Sequence, residues 1–539
     1  MAVKNRNNSK SKKSGNAIVP NSNSHSNKET TDQTDAVSED ATIDDDKFDF
    51  LTEVLCTNRI TQVMIFLATC HLFYFQNENN SQLLSKVFNT LISFVIVFFV
   101  YYRRGALDIN IDNFEKNYFH LIYLFLLPIG ITIYYAHPRM QYLGVNCALV
   151  LNYLPVPLHL KLPLQGIFAL INSEDAYFYD YKFHYLVAIP LNYCIYFVLT
   201  KISQLKSLSV VECNVFAILA TNLLYLYQSE SVEFQILQKS LWSLILIATV
   251  NWLLDLSLFH KSANSASRKI VLGGITLLGF PFLLQTFLSR FQSATFSGNA
   301  VQWLYQYIVE DPLKLKIMGI WLASLLILIP NILVMKSKLS LNTSRKLWHF
   351  IICLLITIPF KYDPEFVKIG ISGVVPLFLL VEYLRYTNLC GNYVNDSLKS
   401  FSDYRDSAGP VVISYLYLII GVSFPLIINN DICGCIVLGV GDSIASIIGK
   451  KFGKKYWDGP DNKTMEGTAA FVISTFALSL ILKAFYNDWD YLPILSNKDQ
   501  LFEIFTNCFV AGILEGNATF NDNILLPPFM MIFSKVMKW

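Results

Sequence analysis

Long blocks of apolar residues, rather than alternating or amphipathic patterns, dominate the chain from about residue 60 onward. A helix needs about 20 residues to cross the hydrocarbon core of a membrane, and a crossing segment must be helical because no water satisfies its backbone there. The blocks predict membrane-spanning segments at 60–75, 85–102, 119–135, 142–158, 183–200, 208–227, 237–259, 270–288, 316–335, 348–360, 366–384, 410–429, 432–449, 467–486, 502–516 and 524–537. The predicted fold is an all-α polytopic membrane protein with about 13–16 transmembrane helices.

Three regions follow from the same pattern. Residues 1–47 are rich in Asn, Ser, Lys, Thr and Asp, with too little apolar surface to offset the entropy of ordering. We expect a disordered tail that is dispensable for chemistry and is not a secretory signal, because no apolar core follows its early basic residues. Residues 48–335 form an N-terminal multispan region of unknown role, and residues 336–539 form a C-terminal membrane region whose loops carry the candidate chemistry.

Composition supports the membrane interpretation. The 539 residues are 53% hydrophobic and only 15% charged, whereas soluble domains carry about 25% charged residues. The net charge of +2 provides no basic surplus for binding nucleic acid. The 10 cysteines are scattered and mostly within apolar blocks, which predicts buried thiols rather than disulfides or a zinc site.

Four polar loops follow residue 335, at 336–347, 385–409, 450–466 and 517–523. Two predicted spans separate each loop from the next, and an even number of crossings returns the chain to the same side. All four loops are therefore predicted to face one membrane surface. Their basic residues place that surface in the cytoplasm by the positive-inside rule.

The densest candidate chemistry lies in residues 439–468. Asp442 falls within an apolar helix, where a carboxylate costs about 2.5–3.5 kcal/mol and therefore needs a cation, a metal ion or water as partner. The loop that follows carries lysines and glycines, which suit phosphate oxygens, and a nearby carboxylate suits Mg²⁺ on a triphosphate. The glycines are equally typical of helix packing, and the lysines of topology anchors. Residue chemistry alone thus predicts an anionic ligand, with a nucleotide as one candidate.

A family resemblance sharpens this interpretation. The run Asp442-x-x-Ala445-x-x-x-Gly449-x-x-x-Gly453, followed after eight residues by Asn462-Lys463-Thr464-x-Glu466-Gly467, resembles the CTP-binding signature of the dolichol kinases. Asn462 departs from that signature, which has a lysine at this position. Further segments that resemble the polyprenol and phytol kinases are Arg345-Lys346-Leu-Trp-His349, Glu382-Tyr-Leu-Arg385, Phe401-x-Asp403-x-Arg405-Asp406, and Asn521-Asp522-Asn523 with Pro527.

The resemblance implies transfer of the γ-phosphoryl group of CTP to the terminal hydroxyl of dolichol, giving dolichyl phosphate and CDP for protein glycosylation. It also implies a multi-pass location in the endoplasmic reticulum membrane, Mg²⁺ or another divalent cation as cofactor, and dolichol, CTP and membrane lipid as partners. CTP binding is expected to involve Asp442, Ala445, Gly449, Gly453, Lys463, Thr464, Glu466 and Gly467. Metal binding is expected to involve Asp442, Glu466 and Asp522.

Catalytic roles are expected for Arg345, Lys346, His349, Asp403, Arg405 and Asp406, with Asp403 or Asp406 as the group that orients the hydroxyl or accepts its proton. Each assignment has a structural alternative. The two aspartates are also explained by a local ion pair with Arg405, His349 by a satisfied structural histidine, and Asp522 by a helix N-cap.

Other functions fit parts of the pattern. A CTP-dependent kinase of another lipid alcohol is the nearest alternative. A cytidylyltransferase that makes CDP-diacylglycerol also uses CTP and Mg²⁺, but its Gly-His-Gly-Gly and Asp-Arg-x-Asp segments are missing here. A transporter would use Asp442 and Glu382 for ion coupling; however, the polar residues gather on one surface rather than along a path.

Overall fold

The computed structural model describes residues 142–153, 157–171, 175–259, 265–290, 299–335, 341–390, 406, 409–457, 463–517 and 521–537. The predicted tail at 1–47 and the spans predicted at 60–75, 85–102 and 119–135 lie outside these residues. The described residues form helices, together with one isolated antiparallel β-bridge between Tyr456 and Thr464.

The first group of described helices lies before residue 336. They are α1 (Tyr142–Val150), α2 (Leu158–Ile171), α3 (Asp175–Ser203), α4 (Val210–Thr221), α5 (Val232–Leu258), α6 (Ala266–Arg290), α7 (Ala300–Val309) and α8 (Pro312–Met335). A short 3₁₀ turn, Leu151–Tyr153, follows α1, and a π-helical segment, Asn222–Leu226, extends α4.

Helices of the second part carry most of the predicted site. They are α9 (Leu341–Tyr362), α10 (Pro364–Tyr386), α11 (Ser414–Asn429), α12 (Asp442–Phe452), α13 (Met465–Tyr486), α14 (Leu492–Ser496), α15 (Lys498–Asn517) and α16 (Asp522–Met537). A π-helical segment, Cys435–Gly441, leads directly into α12.

Five described segments are long and apolar enough to cross a membrane: Leu186–Ser203 within α3, and helices α5, α6, α10 and α13. Two shorter apolar helices occur at Val210–Leu226 and Ser414–Asn429. The predicted all-α, multi-pass membrane fold is therefore confirmed, whereas the total of about 13–16 spans for the whole chain stays a prediction.

The span predicted at 142–158 differs from the observed structure. Helix α1 has only 9 residues, which is too short to cross the hydrocarbon core. The chain then tightens into the 3₁₀ turn, and α2 begins just after Pro157. The sequence carries prolines at 155 and 157, and a proline can neither donate a helical hydrogen bond nor follow a helical residue easily. The apolar block is thus not one continuous span: α1 and the 3₁₀ turn occupy its first part, and α2 begins only at its last residue, Leu158.

Buried amides hold α1 to α4 together. Asn192 donates to the Thr221 hydroxyl at 3.0 Å and receives a hydrogen bond from Asn152, which also accepts from the Gln165 amide at 3.0 Å. In an apolar surrounding such side chains find their partners on neighbouring helices, which fixes helix pairing where the hydrophobic effect does not. This part of the chain is therefore specified by polar contacts as well as by apolar packing.

Helices α9, α12, α13 and α15 run between two ends of one bundle. At one end, the last turn of α9 meets that of α13, where Lys361 Nζ pairs with Asp488 at 2.7 Å. At the other end, α9 and α13 begin while α12 and α15 finish, and we call this the site end. Gly449 near the end of α12 lies against Thr464 just before α13, so these two helices are antiparallel.

A glycine sets how closely α11 approaches α16. A Cβ atom at Gly421 would lie 2.1 Å from the backbone carbonyl oxygen of Asn523 and 2.7 Å from Leu438 Cδ1. Backbone cannot yield as the end of a flexible side chain can, so any side chain at this position would separate the two helices. The start of α16, with Asp522, is positioned by this contact.

We predict that Gly421→Ala lowers the free energy of unfolding by about 1–3 kcal/mol, as overpacking of a dense interior does. Thermal unfolding of the purified protein in detergent measures the change. The matched control is Gly373→Ala in α10, where no heavy atom lies within 4 Å of the added Cβ. There the helix-favouring alanine should be neutral or stabilising by about 0.5–1 kcal/mol. Equal effects of the two substitutions would contradict this account of the α11–α16 contact.

Candidate active site

The π-helical segment before α12 creates an acceptor for a buried histidine. The Asp442 N–H donates to the Val437 carbonyl, five residues back, rather than to Leu438, four residues back. In a regular α-helix the Leu438 carbonyl would accept the hydrogen bond from the Asp442 N–H. Here it accepts a hydrogen bond from Nδ1 of His349 at 2.9 Å. His349 is 5% exposed. π-Helical turns of this kind are frequent at functional sites, and here the turn aligns α12 with α9.

Asp442 forms a buried ion pair with Lys346. The Lys346 ammonium contacts Asp442 Oδ2, and His349 Nδ1 lies 3.5 Å from the same oxygen. The side chains of Lys346 and Asp442 are only 10% and 14% exposed. The partner that the apolar setting of Asp442 requires is therefore a cation on α9, and the predicted site residues Lys346, His349 and Asp442 come together.

Lys463 forms a second ion pair at the site end. Its Nζ lies 3.0 and 2.9 Å from the two carboxylate oxygens of Asp522, at the start of α16. It also donates to the Glu515 backbone carbonyl at 2.6 Å and lies 3.4 Å from the Glu515 carboxylate. Three of the four predicted polar loops (336–347, 450–466 and 517–523) thus supply charges to one end of the bundle.

The two ion pairs lie close enough for the lysine of each to attract the aspartate of the other. The charge of Lys463 acts on Asp442, and the charge of Lys346 acts on Asp522. Burial opposes the charged form of Lys463, but the Asp522 and Glu515 carboxylates outweigh burial and raise the pKa of this lysine well above its ordinary value. On the alkaline side, the Lys463 ion pairs therefore persist above the ordinary lysine pKa of about 10.4 and are lost only as the pH rises through the raised value.

The predicted glycines serve close packing between α12 and the start of α13. A Cβ atom at Gly449 would lie 2.8 Å from Thr464 Oγ1, and one at Gly453 would lie 2.5 Å from Thr464 Cγ2. Thr464 itself caps α13, since its hydroxyl accepts from the Gly467 N–H at 3.1 Å. Ala445 is buried, and its carbonyl oxygen would lie 3.0 Å from a Cβ atom at Gly467. These contacts fix Lys463, which directly precedes the cap.

Glu466 holds the loop at the surface of the site end. Its carboxylate oxygens accept from the Lys455 N–H at 3.3 and 3.2 Å. The same stretch is closed by backbone hydrogen bonds from Trp457 to Lys463 and from Met465 to Lys455, at 2.9 and 2.8 Å. The structure therefore gives Glu466 a loop-closing contact, while its assignment to a metal ion stays a prediction.

The lysines of the site end divide into two groups. Lys346 is buried, and both Lys346 and Lys463 are paired with carboxylates. The second group is exposed and comprises Lys450, Lys451, Lys454 and Lys455. Exposed charges interact weakly and are screened by salt. Lys346 and Lys463 are therefore the stronger candidates for contact with a reacting phosphate, and the exposed lysines contribute only a weaker, screened attraction for anions.

Asp406 belongs to a separate buried cluster. Its carboxylate accepts from the Ile413 N–H at 2.8 Å. Nearby, Glu382 pairs with Arg385 at 2.6 Å and accepts from the Tyr415 hydroxyl at 2.6 Å. These contacts order the chain that enters α11. Asp403 and Arg405 lie outside the described residues, as does the side chain of Arg345, so their catalytic assignments stay predictions.

Glu515 is a component of the site that sequence reasoning missed. It is 7% exposed and lies in the last turn of α15, a segment interpreted only as an apolar span. The available signal was its position two residues before the polar loop at 517–523, at the end of a helix that returns to the site side. No described group of three or more His, Cys, Asp or Glu residues is close enough to hold a metal ion by itself.

Comparison with known proteins places these features in a family context. Residues 19–228 match the family model described as the dolichol kinase N-terminal domain. The chain is 42% identical over 353 residues to the dolichol kinase of Saccharomyces cerevisiae, covering 65% of each chain. It is 36% identical over 204 residues to the dolichol kinase of Schizosaccharomyces pombe, covering 36% of this chain and 39% of that protein.

A more distant relative is the Homo sapiens dolichol kinase, 27% identical over 265 residues, with 43% of this chain and 47% of that protein covered. In each of these comparisons the aligned part spans less than two thirds of the relative's length. No solved structure matches the chain.

The Lys346–Asp442 pair predicts strong coupling in a double-mutant cycle. Lys346→Met should lower the free energy of unfolding by about 3–5 kcal/mol, because it leaves a buried carboxylate without its cation. Adding Asp442→Asn to that variant should recover part of the loss, giving a coupling of about 0.5–3 kcal/mol. Thermal unfolding in detergent without ligands gives both values. Strictly additive effects would show that the pair contributes no mutual stabilisation.

Proposed function

We propose that this chain, a member of the dolichol kinase family by its sequence, transfers the γ-phosphoryl group of CTP to the terminal hydroxyl of dolichol. The products are dolichyl phosphate and CDP. The observation that carries the proposal is the pair of buried lysine–aspartate contacts at one end of a membrane bundle, because phosphoryl transfer depends mainly on positioning and charge neutralisation. The names of the relatives supply the acceptor alcohol, and the sequence resemblance supplies CTP as donor.

In this proposal substrate binding exchanges the partners of the two ion pairs. Lys346 and Lys463 turn from Asp442 and Asp522 to the phosphate oxygens of CTP, and the two carboxylates turn to a divalent cation. The buried charges remain compensated throughout, so the exchange avoids the large cost of an unpaired charge in an apolar interior. The reaction then forms a bond from the dolichol oxygen to the γ-phosphorus and breaks the bond to the β–γ bridging oxygen.

Mg²⁺ fits the donor set at the site end. Three carboxylate side chains (Asp442, Glu515 and Asp522) lie around the ammonium groups of Lys346 and Lys463 there. Mg²⁺ in nucleotide sites is commonly held by one or two carboxylates together with substrate phosphates rather than by an all-protein cage. Asp442 and Asp522 would hold it, and when bound it neutralises charge on the transferring phosphoryl group.

The bundle also suits a lipid alcohol. Helix α9 carries Lys346 and His349 near its start, and further along it exposes Leu354 and Ile358 on its outer surface. A polyprenyl chain beside these residues would stay in lipid while its hydroxyl reached the site end. Asp403 or Asp406 is proposed to orient that hydroxyl or accept its proton. We also propose that the site end faces the cytoplasm from the endoplasmic reticulum membrane, where the product would serve protein glycosylation.

Product analysis with an Asp442 variant tests the function. Purified protein with Mg²⁺, dolichol and γ-labelled CTP should move label into the lipid phase, and Asp442→Asn should reduce the rate at least about 100-fold, as loss of a charge-positioning group does. The matched control is Asp488→Asn, which removes the carboxylate of a lysine–aspartate pair at the opposite end of the bundle. It should keep the wild-type rate.

Other products would identify the alternatives. Release of pyrophosphate with phosphatidate as acceptor would indicate a cytidylyltransferase. Label in diacylglycerol or phytol but not in dolichol would indicate a kinase of another lipid alcohol. Near-normal turnover by Asp442→Asn would contradict the assignment of the site.

Metal removal tests the proposed role of Asp522. Chelation by EDTA should abolish transfer, and added Mg²⁺ should restore it. Asp522→Asn should raise the Mg²⁺ concentration for half-maximal rate about 10-fold or more, because it removes a carboxylate that contacts the metal. A 10-fold change corresponds to a loss of about 1.4 kcal/mol in the free energy of metal binding. The rate as a function of Mg²⁺ at saturating CTP provides the measurement. An unchanged Mg²⁺ requirement in Asp522→Asn would remove this residue from the proposed metal site.

A further inference from the structure

Lys463 differs from Lys346 in the number of carboxylates around it. Lys346 pairs with Asp442. Lys463 contacts two acidic side chains, Asp522 at 2.9 Å and Glu515 at 3.4 Å. A partner exchange that draws Asp522 toward a cation would therefore leave Lys463 with a second anionic neighbour already in place.

Close packing of the residue after Glu515 positions the backbone at the end of α15. The next residue, Gly516, packs so closely that a Cβ atom on it would lie 2.5 Å from Trp457 Nε1 and 2.6 Å from Thr468 Oγ1. Trp457 in turn donates to the Thr468 hydroxyl at 2.9 Å, which ties the loop before Lys463 to α13. The end of α15 and the stem of Lys463 are thus fixed to the same small surface.

Both the backbone and the side chain of Glu515 face the Lys463 ammonium. The carbonyl oxygen accepts at 2.6 Å and the carboxylate oxygen Oε1 lies at 3.4 Å. Neither contact needs to break when Asp522 moves, because Glu515 lies on α15 and Asp522 on α16. Lys463 can therefore exchange one carboxylate for a phosphate oxygen while two acceptors of Glu515 keep its position.

We propose that Glu515 is a positioning residue that retains Lys463 at the phosphate site while Asp522 leaves it to bind the divalent cation of the nucleotide. The proposal rests on the proposed function. Its electrostatic consequence is specific: without the Glu515 charge, Lys463 is drawn wholly to Asp522 and competes with the cation for that carboxylate. Loss of a negative charge beside the cation acts in the same direction, so both effects weaken metal binding.

The test compares Glu515→Gln, which keeps the shape and removes the charge, with Glu515→Asp, which keeps the charge. The matched control is Glu212→Gln. Glu212 is also buried, and its carboxylate accepts the Ser209 N–H in a capping box, a contact that glutamine also makes. Titration with Mn²⁺, followed by the electron paramagnetic resonance signal of the unbound ion, measures metal affinity without turnover. Steady-state transfer then gives kcat and KM for CTP.

We expect Glu515→Gln to weaken Mn²⁺ binding and to raise the KM for CTP by about 10-fold each, as loss of a hydrogen bond to a charged group does. Glu515→Asp should remain within about threefold of wild type in both, since the charge beside Lys463 is conserved. Glu212→Gln should match wild type. A residue that only stabilised the fold would shift the melting temperature and leave Mn²⁺ affinity and the KM for CTP unchanged.

Failure of the inference is distinguishable from failure of the function. If the wild-type protein transfers label from CTP to dolichol and Glu515→Gln equals it in Mn²⁺ affinity and KM, the positioning role is overturned and the function stands. If the wild-type protein gives no product, the proposed function fails whatever the Mn²⁺ result. If Glu515→Gln does not fold, Glu515→Met decides, because it fills a similar volume without the charge: Mn²⁺ binding weakened about 10-fold supports the role, and wild-type Mn²⁺ affinity overturns it.

Discussion

The compensation of charges buried at the end of a membrane bundle is the constraint on which the rest of this structure depends. Asp442 lies among apolar helices, and a carboxylate there must meet a cation. Lys346 on α9 supplies it, while Lys463 supplies the same compensation to Asp522 and Glu515. These groups come from different parts of the chain. The helices that carry them, α9, α12, α15 and α16, can therefore meet here only because each buried carboxylate faces a lysine. The candidate site is thus assembled from contacts that also hold the bundle together.

Close helix packing makes that convergence possible. Gly421 lets α11 approach the start of α16, and Gly449 lets α12 approach Thr464 at the start of α13. Each contact positions a charged residue next to it along the chain: Asp522 beside Asn523, and Lys463 beside Thr464. The separate cluster around Glu382 and Arg385 orders the chain entering α11 in the same manner, through buried and satisfied polar contacts. The resemblance to a CTP signature and the packing interpretation of its glycines are therefore compatible, because the glycines place the lysine.

The sequence predicted the helical membrane fold well, since a span needs a long apolar block and few other structures survive in lipid. It also predicted that four polar loops share one side, because crossings alternate regardless of packing detail, and three of them (336–347, 450–466 and 517–523) contribute charges to the site end. It could not predict the pairing of Lys346 with Asp442, which depends on how two distant helices are rotated against each other. Glu515 escaped notice for a related reason: nothing in an apolar span shows which neighbour a carboxylate within it will face. The early end of α1 within residues 142–158 was missed because hydropathy outweighed the prolines.

The π-helical segment before Asp442 makes chain length, and not only residue identity, a determinant of this site. An α-helix advances about 100° for each residue, so removing one residue within Cys435–Gly441 would leave a regular helix that still inserts into the membrane. Asp442 would then be turned by about that angle away from Lys346, and the Leu438 carbonyl would return to the helix and no longer accept from His349. Related proteins should therefore differ by many substitutions in this segment but rarely by the insertion or deletion of a single residue.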